Sequence, residues 1–249
     1  MRALRICAFI VLLGLCAPHL RAEFCAPPDA MKQQLSGTPS AEALNELGVW
    51  FARQNSFACA ARAFATSIER DSQQKDLPRV VFEFGAALYY SGDTATTVTA
   101  LQQAESLGYR NVKLNVLLAS ALDAQHSTAG AIEEWRKALE FDPEAALELD
   151  ALSSDLNMAS MYQEAVDLLE QPRVRPHRTV NQFMNLAAAL VQLGRSEEAT
   201  TVLEDGWNTY PASAEVARQL ATLLTCLHRD AQAAMVLRLA AEEQAGIAN

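Results

Sequence analysis

Residues 112–145 read VKLNVLLASALDAQHSTAGAIEEWRKALEFDPEA, and this stretch decides the fold. In its first half apolar residues recur at i, i+3 and i+7, which places them on one face of a helix. A polar turn at Ser127 interrupts the pattern, helical spacing resumes from Ala131, and Pro143 closes the block. The same 34-residue pattern runs outward in both directions, giving blocks 41–74, 78–111, 112–145, 146–179, 180–213 and 214–247. Only Lys75 to Leu77 fall between blocks. Three large apolar columns align: Leu47, Phe84, Leu118, Leu152, Leu186, Leu220; then Phe51, Leu88, Leu122, Leu156, Leu190, Leu224; then Phe64, Leu101, Trp135, Leu169, Leu203, Leu237. Two columns stay small: Gly48, Gly85, Ala119, Ser153, Ala187, Ala221, and Ala60, Thr97, Ala131, Ala165, Ala199, Ala233. Small residues at fixed places let two helices approach closely, where larger ones would force them apart. Turn residues recur at or beside Asn55, Gly92, Ser127, Ser160, Gly194 and His228.

A helix pair repeated at this period resembles the tetratricopeptide-repeat family. The run from Ala131 through Trp135 and Ala138 to Pro143 carries the resemblance, as does the run Leu186-Ala187, Gly194, Ala199, Leu203 and Pro211. It implies an all-α, right-handed α-solenoid of about six helix-turn-helix repeats over residues 41–249, with a concave groove walled by the first helix of each pair. Block four departs from the pattern. Gln171-Pro172-Arg173-Val174-Arg175-Pro176 predicts a shortened second helix there and leaves the fourth junction open.

The start of the chain differs in kind. Arg2 and Arg5 precede an unbroken apolar run, Ile6 to Cys16, and Pro18 to Ala22 then turn polar. This order predicts a secretory signal peptide over residues 1–22, hence an exported protein, periplasmic or secreted. The run is too short to span a bilayer, for which roughly 20 residues are needed. Leu15 is too bulky to precede a lipidated Cys16, so no lipid anchor is expected. Residues 23–40 form an N-terminal segment. Beyond the signal stand Cys25, Cys59 and Cys226. Cys25 and Cys59 either bridge in an oxidising compartment or sit as small buried hydrophobes, and both readings stay open.

The formal net charge of −10 repels phosphate backbones, so nucleic acid is not an expected partner. Neither a Gly-rich phosphate loop, a GxSxG nor an HExxH is present, and the histidines at 126, 177 and 228 read as turn or surface residues. An enzyme is therefore not expected, and no cofactor or metal is. What remains is binding of a protein or peptide in the groove, with a structural subunit docked by its ends as the alternative. The resemblance maps the groove wall to Phe82, Tyr89, Tyr90, Val116, Ser120, Asp123, Asp150, Asn157, Asn181, Met184 and Arg218. Of the places where one subtype of the family grips a C-terminal carboxylate, only Lys113 matches, so that mode is not expected. The last helix carries Val236, Leu237, Leu239 and Ala240 with few charges before Glu242, which predicts self-association or partner contact through the C-terminal repeat.

Overall fold

The computed structural model describes residues 25–247, so the signal-peptide reading of residues 1–22 lies outside the described residues. The chain divides after His126 into two compact units, Met1–His126 and Ser127–Asn249, and the cut falls between the two helices of the third block. The described residues of the first unit hold α1 (Ala41–Arg53), α2 (Phe57–Arg70), α3 (Leu77–Ser91), α4 (Thr94–Ser106) and α5 (Val112–Ala124). Those of the second hold α6 (Thr128–Phe141), α7 (Ala146–Met158), α8 (Tyr162–Leu169), α9 (Val180–Gln192), α10 (Ser196–Thr209), α11 (Ala214–Cys226) and α12 (Asp230–Ile247). The fold class is the expected one, an all-α helical repeat of the solenoid type. Within each unit a helix packs on its neighbours in sequence, and first helices also touch one another, as α3 does α5, α7 does α9 and α9 does α11.

The columns explain why the pairs form. Fifteen of the eighteen large positions are buried, and so is every small one. A Cβ added to Gly48 would lie 2.7 Å from the Phe64 ring, and one added to Gly85 would lie 2.7 Å from a Leu101 methyl. The first small column therefore seats the third large column of its own block. Leu47 and Leu122 are only half-buried, and Leu237 departs further. It is 49% exposed, because α12 turns Ala233, Val236 and Ala240 inward and no described helix covers the flank that Leu237 occupies.

The turn inside each pair is a left-handed residue after the first helix. Positive φ occurs at Asn55, Gly92, His126, Ser160, Gly194 and His228, so the third turn pivots on His126 rather than Ser127. The following amide reaches back to close the helix, as in Ser56 N–H to the Phe51 carbonyl (3.0 Å) and Met161 N–H to that of Leu156 (2.8 Å). This role accounts for His126 and His228. A left-handed residue with a Cβ costs about 1–2 kcal/mol, and glycine gives back about 0.4–1 kcal/mol in chain entropy. Ser160→Gly is thus expected to stabilise by about 0.5–1 kcal/mol, raising Tm by roughly 2 °C in a thermal melt.

Block four shows how the proline defect is absorbed. Helix α8 ends at Leu169 and has 8 residues, whereas α6 and α10 have 14 each. Residues 170–179 pass through a short 3-10 turn, Arg175–His177, and α9 still begins on the repeat register at Val180. Arg178, 5% exposed, turns its side chain back onto the cut end. Its Nε and Nη2 donate to the Leu169 carbonyl at 3.1 and 2.7 Å, and Nη2 also donates to the Glu170 carboxylate at 2.7 Å. The guanidinium lies 5.7 Å from the Phe183 ring, and Tyr210 Oη donates to the Arg178 carbonyl at 2.8 Å. A cation placed on the last carbonyls opposes the negative end of the helix dipole. Arg178→Met is expected to cost about 2–3 kcal/mol in urea unfolding, since it strands a buried carbonyl. Arg178→Lys should recover less than half, because one ammonium cannot reproduce the planar fork.

Candidate functional site

The C-terminal end of α3 carries the densest exposed aromatic group in the first unit. Tyr90 is 47% exposed and Tyr89 half-buried. Their ring centroids lie 5.4 Å apart, edge to face. The Phe57 ring, from the first residue of α2, lies 5.0 Å from Tyr90. Lys113, near the start of α5, places its ammonium 5.6 Å from the centre of the same ring. Three helices thus contribute to one surface, with aromatic faces beside a cation. Such a surface can take up an apolar or aromatic side chain of a ligand and keep polar edges for hydrogen bonds. Phe57 escaped the sequence reading because it stands on a second helix. Lys113 matches a carboxylate-gripping place in the sequence, but in the fold it stands over the Tyr90 ring.

Other groove residues have different duties. Phe82 is 5% exposed and stacks on Tyr109 with centroids 4.6 Å apart, which corrects its assignment to the open wall. The Tyr109 hydroxyl is pushed above its ordinary range, first by burial and then by the charge of Glu83. Val116, Ser120 and Asp123 are half-buried on α5, where the Ser120 hydroxyl donates to its own helix at the Val116 carbonyl (2.8 Å).

In the second unit Asp150 is occupied by α9. Its Oδ1 accepts from Thr179 Oγ1 at 2.7 Å and from Gln182 Nε2 at 2.6 Å, and its Oδ2 accepts from Asn181 Nδ2 at 3.1 Å. Asn185 Nδ2 donates to Ser153 Oγ at 2.8 Å, and Asn157 Nδ2 donates to the Asn185 carbonyl at 2.8 Å. This polar ladder ties α7 to α9, so Asp150, Asn157 and Asn181 serve structure first. One atom in it stands apart, since Asn157 Oδ1 is buried with no protein partner. Met184 is half-buried, and Arg218 is exposed and paired with Glu215 on its own helix.

The structure also joins Cys25 to Cys59 by a disulfide, with the two Cα atoms 5.5 Å apart. The bridge pins the segment before α1 to α2. Cys226 is an exposed free thiol. Among the described residues no cluster of three His, Cys, Asp or Glu side chains could hold a metal ion. Nor, among them, is any helix long and apolar enough to cross a membrane.

No protein-family model and no curated protein matches the chain. Solved structures do. A tetratricopeptide-repeat protein from Parabacteroides merdae matches with a TM-score of 0.64 at 15% identity, over 79% of this chain and 77% of that one. YrrB, described as a TPR protein with an unusual peptide-binding site, matches with a TM-score of 0.62 at 16% identity, over 75% and 94%. MamA matches with a TM-score of 0.57 at 19% identity, over 66% and 96%. The chain therefore has the tetratricopeptide-repeat fold.

Proposed function

We propose that the protein is an extracytoplasmic scaffold that holds a peptide or partner protein on the face presented by its first helices. The observation that carries this reading is the surface formed by Tyr90, Tyr89, Phe57 and Lys113, where an exposed tyrosine is backed by two rings and a cation. Large aromatic side chains of this kind are common energetic anchors of interfaces. The peptide-binding site ascribed to YrrB supports the same use of the fold. Export is supported by the order of charge and apolarity in residues 1–22 and by the Cys25–Cys59 bridge, which suits an oxidising compartment. N-terminal sequencing of the protein isolated from its host tests it. A mature start near residue 23 is expected, and retention of Met1 would sink the export reading.

Replacing both Tyr89 and Tyr90 with Ala is expected to weaken partner retention at least tenfold in co-isolation, with helicity by circular dichroism unchanged. Unaltered retention would favour the second reading, a structural subunit docked by its ends. The exposed Leu237 on α12 is the observation in favour of that alternative. Leu237→Glu separates the two, since it should abolish end docking and leave the first-helix face untouched.

A further inference from the structure

The Cys25–Cys59 bridge has two unlike ends. Cys59 is the third residue of α2 and is 2% exposed. Cys25 is half-buried and opens a stretch, residues 25–40, in which no residue is buried. The exposed Arg62, one turn further along α2, donates from its guanidinium Nη2 to Cys25 Sγ. Cys59 stands at the positive end of the helix dipole. The first turn of α2 carries no acidic residue, and the Ser56 side chain makes no capping hydrogen bond there. Each sulfur therefore has its own source of positive potential, a guanidinium for Cys25 and a helix N-terminus for Cys59. Both settings favour thiolate over thiol, and holding two segments together requires neither.

We propose that this bridge is a thiol–disulfide exchange site for a dithiol protein, with Cys25 as the sulfur attacked. The partner's first thiolate bonds to Cys25 Sγ, the S–S bond breaks, and its electron pair leaves on Cys59 Sγ at the head of α2. The product is a mixed disulfide between Cys25 and the partner. The partner's second thiolate then attacks the partner sulfur in that bond, and Cys25 departs as a thiolate beside Arg62. The partner's dithiol is oxidised to a disulfide and the bridge is reduced to two thiols, with two electrons and two protons passing in all. The reverse sequence closes the bridge. Exchange is faster where the attacked sulfur is accessible and the departing thiolate is stabilised. Burial closes Cys59 to attack, while Arg62 draws an anionic nucleophile to Cys25. The site stands whether or not the first-helix face holds a partner.

The test uses the folded, bridged chain carrying Cys226→Ser, which removes an exposed free thiol. Dithiothreitol and glutathione are the probes, and peptide mapping after an acid quench is the readout. Under native conditions the rate of opening by dithiothreitol is expected to rise in proportion to its concentration. Glutathione, which has no second thiol, should be trapped on Cys25. Arg62→Met should slow opening about tenfold while leaving the circular dichroism of the bridged chain unchanged. Arg62→Lys should recover most of the rate. A rate independent of dithiothreitol concentration would mean that the bridge opens only on unfolding, and would overturn the proposal. So would glutathione trapped on Cys59, or an Arg62→Met variant that opens as fast as the parent.

Discussion

Trp135→Ala is expected to lower the stability of the second unit by about 3–5 kcal/mol in equilibrium urea unfolding. The indole is 7% exposed on α6, at the third large column. Its Nε1 donates at 3.1 Å to the carboxylate of Asp155 on α7, itself 2% exposed. The substitution therefore removes a large buried surface and one donor to a buried anion. Trp135→Phe separates the two effects. It keeps most of the packing and loses the N–H, so about 1–2 kcal/mol is expected. An alanine variant as stable as the parent would contradict the 34-residue register, because the register alone assigns Trp135 to the core.

Removing the Cys25–Cys59 bridge is expected to cost the first unit about 3–4 kcal/mol. The cysteines are 34 positions apart, and in the chain-entropy model a closed loop of that length constrains the unfolded chain by about this amount. Cys25→Ala with Cys59→Ala is the appropriate variant, since Cys59 is 2% exposed and alanine leaves no buried polar atom. Urea unfolding of the parent with and without reductant should show the same loss. A difference below about 1 kcal/mol would mean that the bridge does not hold the folded unit together.

The repeat was legible because each column is one environment repeated. A residue at the place of Leu186 meets the same surroundings as one at Leu118 or Leu220, so selection for packing writes the same residue type each time. The left-handed turns were legible for a similar reason, though His126 and Ser160 fill them without glycine. Apolar periodicity says nothing about which polar groups face one another. The Asp150 ladder and the Arg178 cap depend on pairings 8 to 32 residues apart, and only the fold brings those partners together. Phe82 misled because the groove position on α3 is covered by Tyr109 from the connection before α5. Leu237 misled in the opposite sense, since a column predicts burial only where a neighbouring helix supplies the lid.

For function the first-helix face decides. A photo-crosslinking amino acid placed at Tyr90 in cells of the native host, with a control at the exposed Gln102 on α4, tests it most directly. One discrete crosslinked product is expected from position 90, absent from position 102 and lost when Tyr89→Ala and Lys113→Ala are added. Equal products from both positions, or a product from position 90 that survives those two substitutions, would contradict the account.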